Sequence, residues 1–151
     1  MQIIHHNEFS ASSSILQMGN RHRDAFPHTQ NAVDENISVC VLDEVAKDLE
    51  LEGRVLAKID VQGYELNVLL GAERTLPLID ILIIETSFEE LYEGQPLFYD
   101  VHQFLHDRHF RYAGAFHQMF NPSDGAMLQE DSIFVNTRQA GGKRLVDGIV
   151  S

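Results

Sequence analysis

The chain has 151 residues, 44% of them hydrophobic, enough for one domain-sized unit with a core of its own. Its 11 Lys and Arg stand against 23 Asp and Glu, and a net charge of −12 argues against binding to a phosphate backbone, which needs clustered cations. No apolar run approaches the roughly 18 residues of a membrane span. The local basic clusters, Arg21 with Arg23 and Lys143 with Arg144, are too small to reverse the charge balance. The N-terminus MQIIHHNEFS lacks the basic and then apolar regions of a signal peptide. The single cysteine, Cys40, forbids an intramolecular disulfide and fits a reducing, cytoplasmic compartment. Within ISVCVL it reads as a small buried side chain.

Gln2 to His6 is a short β-like run. Residues 1–36 are otherwise polar and irregular, with serines at positions 10 and 12–14 and a helical turn expected around Ser14 to Met18. An α/β core is expected over 37–137. Ile37 to Leu42 alternates like a strand, with Ile37, Val39 and Val41 on one face. Asp43 then reads as the N-cap of a helix running to about Leu51, with Leu42, Val45 and Leu49 as its buried stripe. Val55 to Asp60 is nearly continuous apolar, as a strand covered on both faces would be. Gly63 permits a tight turn into a helix from Tyr64 to about Leu76, which buries Leu66, Leu69, Leu70 and Ala72 and ends at Pro77. Ile81 to Glu85 is a second buried strand. The helix between the two strands makes a βαβ unit, and such sheets bind ligands beyond the carboxyl ends of their strands. Thr86 or Ser87 would cap a short helix from Phe88 to Tyr92. Tyr99 to Arg108 forms a further helix with Val101, Phe104 and Leu105 inward. Phe110 to Phe120 is an aromatic-rich strand whose Phe110, Tyr112, Phe116 and Phe120 read as core. A turn over Asn121 to Gly125 leads to a last strand, Asp131 to Asn136. The tail, 138–151, is expected to fray.

The segment Lys58-Ile59-Asp60-Val61-Gln62-Gly63-Tyr64-Glu65, followed by Val68-Leu69-Leu70-Gly71-Ala72, resembles the hallmark K-I-D-[VI]-[EQ]-G-x-E-x-x-V-L-x-G-A of the FkbM-type methyltransferases. Val41-Leu42-Asp43-Glu44, Ile83-Ile84-Glu85 and the serine cluster Ser12-Ser13-Ser14-Ile15-Leu16 are similar to the family's flanking segments. The resemblance covers roughly Phe9 to Asn136. It implies a class I methyltransferase (Rossmann-like) sheet with flanking helices, S-adenosylmethionine as cofactor, and O-methylation of a small molecule or glycan. The glycine-rich loop and ribose-holding acid that carry the cofactor in such a fold have no counterpart before residue 54. The resemblance therefore implies a single, incomplete domain carrying strands four to seven, with parallel core strands and an antiparallel strand near the C-terminus. The strand Val55 to Asp60 would then present an open edge, covered by Ile37 to Leu42, a second copy or a partner chain.

Asp60 is the leading catalytic and cofactor-binding candidate, because an acid at a strand's carboxyl end before a glycine turn can meet a charged sulfonium or a substrate hydroxyl. Glu85 ends the neighbouring strand on the same rim and joins it as a catalytic candidate. Gln62 and Gly63 shape the cofactor loop. Glu65, Ser13 and Ser14 are assigned to the substrate lining. Lys58 shares a face with Asp60 and is expected to pair with it or with Glu85. No metal is expected: the pair Asp60 and Glu85 lacks further ligands, and His102, His106 and His109 lack an H-E-x-x-H pattern. His117 reads as a packed side chain. Three readings stand at this point: a methyltransferase, a non-catalytic α/β half-domain that works by association, and a metal-dependent hydrolase using Asp60 and Glu85, which would need a bound metal.

Overall fold

A computed structural model describes residues 1–8, 10–29 and 31–138. The expected fraying of the tail falls largely outside them. The elements in chain order are β1 (Gln2–Asn7), α1 (Asn20–Ala25), β2 (Ala32–Ile37), α2 (Leu42–Val45), β3 (Leu56–Ile59), α3 (Glu65–Leu70), β4 (Ile81–Ser87), α4 (Phe98–His106), β5 (Phe110–Phe120) and β6 (Met127–Asn136). The architecture is α/β with a mixed sheet. Four strands lie in the order β3-β4-β6-β5, and β1 and β2 form a separate antiparallel pair. β3 and β4 are parallel, from Leu56 opposite Ile81 to Ile59 opposite Ile84. β6 runs antiparallel to both β4 and β5. Among the described residues no helix is long and apolar enough to cross a membrane.

The parallel pair β3 and β4 needs a crossover, and α3 with the turns after it supplies one. Leu69, Ala72, Leu76 and Ile79 from that crossover pack on Ile59, Leu82 and Ile84 of the strands. Val101 and Leu105 of α4, with Phe110 and Phe134, close the same core, and Phe104 lies partly buried against it. Pro96 precedes α4, and Asp100 in its first turn accepts a hydrogen bond from the Leu97 N–H at 2.8 Å, satisfying a donor the helix leaves open. A smaller cluster of Ala25, Leu91, Tyr92 and Leu128 ties α1 to the far end of β4 and β6.

Several expectations are corrected. The strand at the start of the core is Ala32–Ile37, not Ile37 to Leu42. It pairs with β1 through the backbone ladder and is almost wholly exposed on both faces, so it carries no buried stripe to reveal it. The polar stretch after Asn7 also holds α1, and no helical turn forms at Ser14 to Met18. Instead Ser14 bridges to His5 and Met18 to Tyr92 as extended chain. Asp43 caps a different turn from the one expected. Its carboxylate accepts from the Arg74 N–H, the Thr75 N–H at 2.9 Å and the Thr75 hydroxyl at 2.7 Å, so it fastens α2 to the turns that follow α3. Val45 and Leu49 are exposed, as are Leu70 and Cys40. Phe88 to Tyr92 is not helical, because the Phe88 N–H goes to Leu128 O and the Gln95 side chain accepts from Leu91 and Tyr92. Phe110 is core and Tyr112 packs against it, but Phe116 is 76% exposed and Phe120 half exposed. Register shifts in β5 between Tyr112 and Phe120 break the alternation that would have turned both inward.

Candidate functional site

The carboxyl ends of β3 and β4 lie side by side, and Asp60 and Glu85 stand there on adjacent strands. Between them the chain turns through Gln62 (φ 51°) and Gly63 (φ 93°). The second of these has to be glycine. A Cβ there would come within 3.1 Å of the Tyr92 and Gln95 Cβ atoms, and the φ is one that only glycine adopts at no cost. The turn throws the Gln62 amide back over the strand ends. Its Nε2 donates to Asp60 Oδ1 at 2.9 Å and to Glu85 Oε2 at 2.7 Å. Its Oε1 accepts from the Tyr92 hydroxyl at 2.8 Å, and its backbone carbonyl accepts from Ser14 Oγ at 2.6 Å. One glutamine thus joins the two carboxyl groups and is itself oriented from two other segments.

Glu65 lies beneath the loop, 4% exposed. Its Oε1 accepts from the Val61 and Gly63 N–H groups at 3.1 and 3.2 Å, which holds the turn closed. Burial raises its pKa. Glu85 is shifted further. Burial first, then the charges of Asp60, Glu65 and Asp131, push its carboxyl up to about 8, with a hydrogen bond from Gln129 working the other way. A carboxyl group with that affinity for a proton can exchange one near neutral pH. Lys58 Nζ sits 3.2 Å from Asp60 Oδ2 and 3.7 Å from Asp131 Oδ1. The hydrogen bond with Asp60 raises the lysine's pKa. The expected pairing with Asp60 is present, with Asp131 rather than Glu85 as the second partner.

A cavity of about 400 Å³ opens at this rim, and Asp60, Gln62, Glu85 and Ser13 line it. Ser13 Oγ also accepts from the Asn7 N–H at 3.0 Å. Ser14 is turned to Gln62 and, like Asp60, borders a second, more apolar groove beside Val41, Val61 and Val68. Glu65 and Gly63 support the loop from behind and line neither opening. The sequence reading missed three residues. Tyr92 is 1% exposed and orients the glutamine; His22 and Gln129 line the cavity. The only sequence signal for them is a polar or aromatic residue outside any apolar period. Among the described residues no group of three or more His, Cys, Asp or Glu is placed to hold a metal ion.

A family model described as the methyltransferase FkbM domain matches residues 2–112. The chain belongs to the FkbM methyltransferase family. The matched span runs from β1 into β5 and takes in every residue of the rim contributed by β3, β4 and the loop between them. No curated protein and no solved structure matches the chain.

Proposed function

We propose that this FkbM-family chain works at the Asp60–Glu85 rim as an S-adenosylmethionine-dependent O-methyltransferase acting on a small molecule or glycan. The observation that carries the reading is the Gln62 amide bridging two carboxyl groups on adjacent parallel strand ends, at the mouth of a ligand-sized cavity. The parallel β3–β4 pair and the antiparallel β6 agree with the class I methyltransferase sheet that the family resemblance implies.

The donor set suits the cofactor's charge. A sulfonium is a cation, and the rim offers carboxyl groups fixed by the loop. Asp60 and Gln62 would hold it; when bound, it supplies an electrophilic methyl group. The chain's own residues do the rest. Asp60 positions the acceptor hydroxyl, so that the reacting atoms meet in line. Glu85, whose carboxyl is pushed up to about 8, takes the hydroxyl proton in its ionised form and passes it on toward solvent. Gln62 holds both groups in one geometry, and Tyr92 and Ser14 hold Gln62.

The second reading, association through an open sheet edge, is favoured by a separate observation. β3 has β4 as its ladder partner on one side, and Leu56 is 59% exposed. The two readings are compatible if a second copy or a partner chain covers the edge.

Mass-spectrometric detection of transferred methyl, with labelled S-adenosylmethionine and a panel of hydroxylated acceptors, tests the enzyme reading. Transfer that falls by about a hundredfold or more in Asp60→Ala supports it. Transfer unchanged in Asp60→Ala and in Glu85→Gln would move the chemistry elsewhere.

A further inference from the structure

The cavity has a roof that the motif residues do not supply. α1 and the turn after it bring His22, Phe26 and Thr29 into the lining, and β5 brings Met119. His22 is 4% exposed and its ring is wedged between Phe26 and Tyr92, with centroids at 5.3 and 5.4 Å. Its tautomer follows from the hydrogen-bond inventory. Thr29 Oγ1 lies 2.8 Å from the Phe26 carbonyl and 3.3 Å from His22 Nδ1. A carbonyl only accepts, so the one hydroxyl hydrogen goes to Phe26 O. The threonine's lone pair then faces Nδ1, which carries the ring proton, and Nε2 keeps its lone pair. Burial lowers the His22 pKa and keeps the ring neutral. Nε2 has no partner among the described residues.

Asp60, Glu85 and His22 all line the cavity. Nearby cations are engaged elsewhere. Lys58 is paired with Asp60 and Asp131, and Arg21 of α1 with Glu89 and Asp124. Neither lines the cavity, and no other lysine or arginine does among the described residues. An anionic ligand would meet the Asp60 carboxylate with no lysine or arginine in the described lining to pair with it. Phe26 and Met119 add an apolar wall.

We infer that this cavity receives the methyl acceptor, and that the acceptor is an uncharged or cationic small molecule. It presents hydroxyl or ammonium donors to His22 Nε2 and the Asp60–Glu85 pair and lays an apolar face on Phe26 and Met119. The inference rests on the methyltransferase reading but is tested without any methyl donor.

Three matched probes decide it: tyrosol, tyramine and 4-hydroxyphenylacetate share a ring and differ in carrying a hydroxyl, an ammonium or a carboxylate. Ligand-observed NMR on the full chain is expected to show tyrosol and tyramine binding, with the acid weaker by at least about tenfold. Asp60→Asn, which preserves shape, is expected to narrow the gap between tyramine and the acid by about threefold or more. The ¹⁵N resonances of His22 are expected to report an Nδ1–H tautomer whose Nε2 signal moves on adding tyrosol. The acid binding as tightly as its partners, no probe binding at millimolar concentration, or a protonated Nε2 would each overturn the inference. Methyl transfer to an anionic acceptor would overturn it while leaving the methyltransferase reading intact. Probe binding without any cofactor binding would do the reverse.

Discussion

At the scale of single residues, the rim makes two claims that can be checked by substitution. Glu85 holds a proton more tightly in the folded chain than at its ordinary value of 4.5, with a folded value of about 8. The folded state therefore binds the extra proton between those limits. The stability linked to Glu85 is full below about pH 4.5 and is lost as pH rises through 8. Glu85→Gln removes that dependence. Between pH 5 and 9 the wild-type Tm is expected to fall more steeply than that of the variant, by about 3 °C or more. Parallel melting curves across that range would contradict a raised Glu85. Gly63 makes the second claim. Gly63→Ala places a Cβ against Tyr92 and Gln95 at a φ of 93°, and chemical denaturation is expected to show a loss of about 1–3 kcal/mol.

At the scale of elements, the contacts that position the site are polar as much as apolar. Between β4, β5 and β6 a buried network joins Glu130 to the Tyr112 hydroxyl at 2.8 Å and to Ser132 Oγ at 2.7 Å, with Thr86 Oγ1 2.7 Å from Ser132. Glu130→Ala strands the Tyr112 hydroxyl and leaves Ser132 with Thr86 alone, and denaturant unfolding is expected to show a cost of about 1–3 kcal/mol. A loss below 1 kcal/mol would mean that water replaces the carboxylate. Elements with a buried period were legible in the sequence. β4 differs from its expected range by two residues at one end, and β5 matches it at both. The rim was legible too, because the sequence placed Asp60 and Glu85 at two strand ends and Gln62 in the loop that follows the first. What stayed hidden was whatever makes structure without an apolar face. β2 is a ladder of exposed residues; Asp43 bonds to a turn about 30 positions along the chain. Tyr92 and His22 reach the rim from segments with no motif of their own, so only the tertiary fold could bring them there.

At the scale of the whole molecule, β3 is the exposed feature. Its ladder with β4 occupies one side, and Leu56 stands exposed. Such an edge pairs readily with another chain. Sedimentation of the purified protein is expected to show a mass above that of the monomer that rises with concentration, and Leu56→Lys is expected to return it to the monomer. Fast hydrogen exchange at Leu56 to Ile59 in a strictly monomeric sample would show the edge bare instead.

The most direct measurement is a calorimetric titration of the folded chain with S-adenosylmethionine, run beside Asp60→Ala. Saturable binding by the wild type and none by the variant is the expected result. A folded wild-type sample that takes up no ligand at millimolar concentration, or a variant that binds as the wild type does, would contradict the assignment of the Asp60 rim as the cofactor site.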